Sequence, residues 1–381
     1  MSDVPSLPRL NRSGHAKLAQ LCLSGLPFSQ IEVDSSRLAV IFYCLGTLDL
    51  LGALESRIPA TERARWREWI WEQQTHGKYG TGFRPGPYMT PEDHTAETEY
   101  TEYDVPHLIV TYTALLSLAI LRDDFTKLDR SGILKFVRSC QRDDGRSVTP
   151  SSPVVVEANS HCCSFSALPN GGEADLRTAY CAFVICSLLD DWSGMDVERA
   201  IAYIQRCSSH EGGYGQTPDS EALGGTTYCA LASLKLAPTT STSHQESRIA
   251  PAARLRTIRW LTANQSSSGG FCGRANKIAD ACYCFWCGAS LSILGVGDFV
   301  DRAALASFLG QCQFKFGGIA KAPGERADPY HTYLSLAALA IFRPSGADES
   351  WELPQLDPLW NATQETAGWA REHVPANTPS S

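Results

Sequence analysis

The sequence predicts an all-α fold assembled from repeated helix pairs, and three observations carry that reading. Apolar segments recur at helical spacing with Ala, Ser, Gly and Cys between the large residues: TYTALLSLAIL (111–121), AYCAFVICSLL (179–189), TYCALASLKLA (227–237), CYCFWCGASLSIL (282–294) and HTYLSLAALAIF (331–342). Each follows a segment in which another helix ends near Cys or Gln and runs into a Gly turn: FVRSCQRDDG (136–145), YIQRCSSHEGG (203–213), WLTANQSSSGG (260–270) and FLGQCQFKFGG (308–318), with a degenerate early copy, WIWEQQTHGKYGTGF (69–83). Convincing strand signals are nearly absent.

Each element of the repeat has a physical reason. Small residues let the second helix of each pair approach its neighbours closely. The Gly pairs fit helix ends that need positive φ. Gly270 and Gly318 lie 48 residues apart, with two helices between them. Such pairs stack into a solenoid, or close into a ring whose second helices line a central cavity. Two stretches rich in Ser, Thr and Pro, about 146–172 and 238–252, read as surface-loop insertions. One domain is expected over residues 1–343, and the tail, 344–381, is expected to be mostly irregular despite Trp351, Trp360 and Trp369.

Composition narrows the function classes. The chain of 381 residues is 43% hydrophobic, which supplies a large core and excludes wholesale disorder. Lys and Arg number 33 against 41 Asp and Glu, and the net charge of −8 argues against a nucleic-acid-binding surface. No apolar run approaches the ~18 residues a membrane span requires. The N-terminus, MSDVPSLPRLNRSGHAKL, has no hydrophobic signal core, so a cytoplasmic location is expected. The 14 cysteines are irregularly spaced and include the adjacent Cys162 and Cys163, which is no disulfide framework. In a reducing compartment most of them act as small buried apolar residues.

Candidate chemistry is densest in GGFCGRANKIADACYCFW (269–286). Asp280 and Cys282 have an Asp-x-Cys spacing at the predicted start of a helix, and His331 opens the corresponding helix one repeat later. A ring would bring equivalent positions side by side, making the three a candidate Zn²⁺ ligand set with one position left open. The same residues also read as a helix N-terminal charge, a core thiol and a cap. Cys284 and Cys287 form a CxxC with no second copy, which reads as core packing. Arg274 and Lys277, with Tyr283 nearby, could hold a phosphate or diphosphate, or form a solvated basic loop. No GxxxxGK[ST], no GxGxxG after a strand and no G-x-S-x-G elbow is present, so nucleotide binding and serine-hydrolase chemistry lack motif support.

Together, the repeat glycines, the Asp280/Cys282/His331 set and the Arg274/Lys277/Tyr283 set resemble the protein prenyltransferase β subunits, over roughly residues 20–343. SSRLAVIFYCLGTLDLLG (35–52), VPHLIVTYTALLSLAILRDD (105–124) and DDWSGMDVERAIAYI (190–204) are more similar to the geranylgeranyl type I branch than to the farnesyl branch. The resemblance implies an α/α barrel (toroid) held by a helical α subunit in an obligate heterodimer. It implies zinc on Asp280, Cys282 and His331. It places Arg274, Lys277 and Tyr283 at diphosphate positions, and Trp286, Ala39 and Tyr43 along the isoprenoid pocket. His107, Glu173 and Arg177 fall near a bound peptide's C-terminus, with Arg177 also at the lipid side. The implied reaction moves geranylgeranyl from its diphosphate to the Cys of a C-terminal CaaX sequence, X typically Leu, as on small GTPases.

Three departures from the family pattern stand out. Leu223 occupies the place of a usual His before the Gly pair, Tyr330 follows the farnesyl pattern beside the peptide site, and the insertion 146–172 abuts Glu173. Ala39 replaces the farnesyl enzyme's Trp. Lys321 replaces its Asp, so the resemblance implies that Mg²⁺ is not required. The alternatives are a farnesyltransferase β subunit, a terpene-cyclase-like enzyme, which would need a DDxxD or DxDD motif that is absent, and a non-catalytic helical-repeat protein.

Overall fold

The computed structural model describes residues 7–87, 104–142, 163–169, 171–238 and 248–376. Among them outer and inner helices alternate. The outer α1 (Arg12–Ser24) precedes the inner α2 (Arg37–Leu50). A single turn, α3 (Leu54–Arg57), leads to the pair α4 (Ala60–Trp71) and α5 (Leu108–Ile120). Four pairs follow: α6 (Arg130–Cys140) with α7 (Leu176–Leu189), α8 (Val197–Arg206) with α9 (Gly224–Leu236), α10 (Pro251–Ala263) with α11 (Ala281–Ile293), and α12 (Arg302–Gln311) with α13 (Pro329–Ile341). The inner helices α2, α5, α7, α9, α11 and α13 pack each on the next, and α13 returns to α2. The repeat therefore closes into a ring, the α/α toroid that the sequence resemblance implies.

Glycine makes the closure possible. Gly212, Gly269 and Gly317, at the turns between outer and inner helices, have φ of +119, +92 and +110°. A Cβ there would overlap the carbonyl oxygen of Arg256, Ala304 and Gly14 respectively, each on the next outer helix around the ring. Gly317 thus seats the last repeat against α1, the first helix. At this seam His15, fully buried, accepts from the Gly318 N–H through Nδ1 at 2.8 Å and meets Gln313 Oε1 through Nε2 at 3.1 Å. A second repeated device ties each turn to its inner helix: the Oγ1 atoms of Thr111, Thr227 and Thr332 accept from the N–H groups of Phe83, Tyr214 and Ile319, all at 2.9 Å.

Among the described residues, strands beyond isolated bridges form only short antiparallel hairpins: β1 (Gln74–Gly77) with β2 (Gly80–Phe83), β3 (Ser166–Leu168) with β4 (Gly171–Ala174), β5 (Ile319–Ala320) with β6 (Ala327–Asp328), and β7 (Leu356–Asp357) with β8 (Ala362–Thr363).

Two boundary expectations need correction. The surface loop expected over 146–172 does not extend to its end: Cys163, Phe165 and Ala167 are buried, and Phe165 bridges Gln141 as Phe271 bridges Gln265 two repeats later. Those residues are the repeat's own turn. The stretch expected as a loop over 238–252 likewise ends early, because Pro251 and Ala252 form the first turn of α10, with Pro in the position that needs no N–H. The remainders, 143–162 with 170 and 239–247, lie outside the described residues.

The tail expected to be mostly irregular is folded over much of its described part, 344–376. It contains α14 (Gln364–His373), the β7–β8 hairpin and the buried Trp351 and Trp360. Four successive carbonyls, of Pro358, Leu359, Trp360 and Asn361, accept from the hydroxyls of Tyr228, Tyr180, Tyr112 and Tyr333. Those tyrosines occupy one position in four inner helices, five residues after the residue that caps each. The tail plugs the end of the barrel where the inner helices finish. Those carbonyls hold it there together with Thr363 and Thr366 on Asp49 and Trp360 on Ser187, and the tail's own sequence shows no period.

Candidate metal centre and its surroundings

The inner helices begin at the opposite end of the barrel, and here side chains cap them. His107, Asp175, Asp280 and Asp328 each accept a backbone N–H of the first turn of α5, α7, α11 and α13. Because equivalent positions in consecutive repeats are neighbours, α11 and α13 carry their first-turn side chains to one place. Asp280, Cys282 and His331 offer one ligand atom each, all within 4.8 Å of one another. The Nε2 of His331 is 3.4 Å from Asp280 Oδ1. Two N or O ligands on a tetrahedral zinc, at ~2.0–2.1 Å from it, sit roughly that far apart.

The alternatives for these residues resolve into a double duty. Asp280 is the cap of α11, accepting from the Cys282 N–H at 2.9 Å, and the same carboxylate faces His331. The imidazole is oriented from behind. Asp328, the cap of α13, accepts from the His331 N–H at 2.9 Å and holds Nδ1 at 2.6 Å, leaving Nε2 for a metal. Sequence reasoning missed Asp328, whose only signal was its place before Pro329 and three residues ahead of the histidine.

Electrostatics match. Burial opposes charge on His331, yet hydrogen bonds to Asp280, Asp328 and Cys282 outweigh it and carry its pKa to about 11. Burial pushes the Cys282 thiol up to about 12, against the pull of His331. Burial also raises the Asp280 carboxyl, but hydrogen bonds from His331 and Cys282 leave it below the usual range. Without a metal, a proton on the imidazole balances the carboxylates beside it; a divalent cation would take the place of that proton and of the thiol's. An O/S/N donor set of this kind fits zinc.

The cations expected at a diphosphate lie on the loops beside this group. Lys321 Nζ is 4.0 Å from Asp280 Oδ2, and its carbonyl accepts from the Ala281 N–H at 2.9 Å. Arg274 pairs with Glu221 at 2.6 Å, a partner 53 residues away on the loop of the preceding repeat. The Tyr283 ring covers Gly273, where a Cβ would collide with it, and burial raises the Tyr283 hydroxyl to about 12. Lys277 is exposed on the same loop. Leu223 stands before α9 and caps nothing with its side chain.

Aromatic residues line the way inward. Trp286 Nε1 donates to the Tyr330 hydroxyl at 3.1 Å, and Tyr330 stands edge-on to Tyr43 with ring centroids 5.3 Å apart. Ala39 lies one helical turn before Tyr43 on α2. Trp286 in turn packs on Tyr228, one of the tyrosines that hold the tail. His107 and Arg177 begin α5 and α7, at the same end but across the ring from the metal group. Arg177 is fixed by Asp175 at 2.7 Å and Glu173 at 2.5 Å, and burial holds His107 down at a pKa of about 4. Cys284 and Cys287 are fully buried, their thiols directed at the Asp280 and Cys272 carbonyls, which is core packing.

A closed ring of helix pairs, with three side chains that could hold a metal at its inner-helix N-termini, defines an α/α toroid with a candidate metal centre. Residues 10–362 match the model of the prenyltransferase alpha-alpha toroid domain. The chain is 33% identical to the geranylgeranyl transferase type-1 subunit beta of Arabidopsis thaliana, over 90% of this chain and 88% of that protein. It is 34% identical to the Dictyostelium discoideum protein of the same name, over 94% and 97%. The solved structure of Candida albicans protein geranylgeranyltransferase-I complexed with GGPP superposes with a TM-score of 0.78 at 28% identity, covering 96% of this chain and 100% of that one. This chain belongs to the protein prenyltransferase β-subunit family. Among its described residues no helix is long and apolar enough to cross a membrane.

Proposed function

We propose that the chain is the catalytic β subunit of a type I protein geranylgeranyltransferase, working with a helical α subunit in the cytoplasm on CaaX-tailed small GTPases. The observation that carries the reading is the Asp280/Cys282/His331 group set beside cations and above an aromatic wall. Zinc held by that group would leave one position for the substrate's Cys sulfur and stabilise it as a thiolate at neutral pH. In the transfer, that sulfur bonds to C1 of the lipid as the C1–oxygen bond to diphosphate breaks. Arg274, Lys277, Lys321 and the Tyr283 hydroxyl are placed to meet the negative charge that grows on the departing group. Trp286, Tyr43 and Tyr330 give the lipid an apolar wall that excludes water, and His107, Glu173 and Arg177 offer polar contacts to the peptide's end.

Lipid choice rests on Ala39. A small side chain one turn from Tyr43 leaves room for the fourth isoprene unit. Tyr330 supports the farnesyl alternative, since it keeps the bulk of that branch's pattern. The deciding experiment is co-expression with an α subunit, followed by competition between geranylgeranyl and farnesyl diphosphates on CaaX peptides ending in Leu or Ser. Preference for geranylgeranyl and Leu supports the reading. Ala39→Trp should then move the preference toward farnesyl by ~10–200-fold. An unchanged preference would show that residue 39 does not face the lipid.

A further inference from the structure

The charges around the candidate diphosphate site are set against one another. Arg274 and Glu221 meet through a single contact, Nη1 to Oε2 at 2.6 Å, and their side chains are 43 and 45% exposed. Among the described residues this is the only ion pair that Arg274 makes, and it engages one guanidinium nitrogen, leaving Nη2 and Nε for another acceptor. The contact joins two consecutive repeats, but it is not what holds them together. The Gly224 N–H already donates to the Gly273 carbonyl at 2.8 Å between the same two loops, and the isolated bridges Gly215–Ala222 and Cys272–Ala279 shape each loop from within. A half-exposed, one-point pair of this kind contributes little to folding. Its consequence lies in charge: it places a carboxylate against the cation that a diphosphate must approach.

We propose that Glu221 is a counter-ion that occupies Arg274 while the site is empty and competes with diphosphate for it, weakening retention of the diphosphate that the reaction releases. This rests on the reading that Arg274 receives the diphosphate. A diphosphate presents several oxygens to the guanidinium fork and displaces a one-point carboxylate contact, while the carboxylate stays close enough to reclaim the cation afterwards. Leu223, two residues after Glu221, brings no polar side chain to the same loop, so Arg274 bears more of the phosphate contact and its occupancy counts for more. Glu221 is in this sense a positioning residue: it touches Arg274, not the reacting atoms.

The test is calorimetric titration of inorganic pyrophosphate into the zinc-loaded full chain with its α subunit. Glu221→Gln, which keeps shape and removes charge, should bind pyrophosphate ~3–5-fold more tightly than the unaltered protein, the range a half-exposed ion pair commands. Arg274→Gln should bind it at least tenfold more weakly. In the Arg274→Gln background, Glu221→Gln should give no gain. Binding that is unchanged or weaker in Glu221→Gln, with Arg274→Gln weakened, overturns the role of Glu221 and leaves the diphosphate site standing. A gain that persists without Arg274 overturns it too, since that would be a general loss of negative charge. Arg274→Gln without effect overturns the diphosphate reading itself.

Discussion

At the end of the ring where the inner helices begin, side chains supply the polarity: Asp280, Cys282, Asp328 and His331 crowd together with Lys321 and Arg274 close by. At the end where they finish, the tail's backbone supplies much of it, through the carbonyls of 358–361 bonded to four tyrosine hydroxyls, with Asp49 accepting from Thr363 and Thr366 beside them. The tyrosines belong to the same ring of inner helices, Tyr333 to α13, which also carries His331, and Trp286 of α11 resting on Tyr228 links the two levels. The difference teaches how one repeat serves two purposes. Residues in the first helical turn vary from repeat to repeat and carry function, whereas the tyrosine deeper in the helix recurs in four of the six inner helices and carries closure.

The sharpest way to break the comparison is at the upper end. Cys282→Ala should remove about one Zn²⁺ per chain and lower transfer by ~10³-fold or more, while the melting temperature in the metal-free state stays within a few degrees, because an open catalytic site adds less to folding than a closed structural one. Metal analysis on purified protein, read beside a thermal melt, decides it. Full zinc retention would move the metal site elsewhere.

The lower end should respond in the opposite sense. Trp360→Ala empties a buried site beside the Arg371 guanidinium, which lies 4.6 Å from the ring centroid. A loss of ~3–5 kcal/mol in unfolding free energy is expected from burial of that size. Metal stoichiometry in the folded fraction should not change. Denaturant unfolding with zinc analysis would sink the division of labour if zinc were lost while stability was kept.

How far this division could be read from the chain follows from what each end is made of. The helix pairs and their Gly turns were legible because apolar spacing and positive-φ glycine are local signals, and Gly212, Gly269 and Gly317 each fall where the sequence placed a turn. Asp280, Cys282 and His331 were legible as a set because a repeat brings equivalent positions together. Asp328 was not, since its role depends on the direction of one imidazole nitrogen. Neither was the Glu221–Arg274 contact, which spans two loops with no periodicity between them. The tail escaped because carbonyl oxygens carry no sequence at all.

Between the two ends lies the seam where α1 meets the last turn, and pH probes it. Burial, with the Arg12 charge adding to it against the hydrogen bond to Gln313, holds His15 neutral to a pKa of about 4, below its ordinary value of 6.5, and its Nδ1 accepts from the Gly318 N–H. The unfolded chain takes up a proton below about pH 6.5, while the folded chain resists until about pH 4. The seam's contribution is therefore fully present above pH 6.5 and lost as pH falls toward 4, by up to roughly 3 kcal/mol. His107, also held near 4, adds in the same direction. His15→Gln should be less stable at pH 7.5 but lose less on acidification. Equal acid slopes for the two proteins in denaturant titrations would show that His15 charges freely in the fold.

The smallest effect expected is at Lys321, and it refines what the upper end asks of its surroundings. The side chain is half exposed and its ammonium is 4.0 Å from Asp280 Oδ2, on the hairpin that leads into α13. An ammonium there can neutralise phosphate oxygens directly, whereas a carboxylate in its place would call for a hard divalent cation to bridge the two anions. Transfer by the unaltered protein should accordingly be insensitive to added Mg²⁺ once zinc is bound. Lys321→Asp should be slowed by about tenfold, the size of one charge contact to a phosphate, and recover in millimolar Mg²⁺. The same carboxylate would face Asp280 across a few ångströms, so zinc content must be followed alongside the single-turnover rate. A rate restored by Mg²⁺ at constant zinc assigns Lys321 to the leaving group. A rate that tracks zinc instead assigns it to the charge balance of Asp280, and a requirement for Mg²⁺ in the unaltered protein would favour the farnesyl branch.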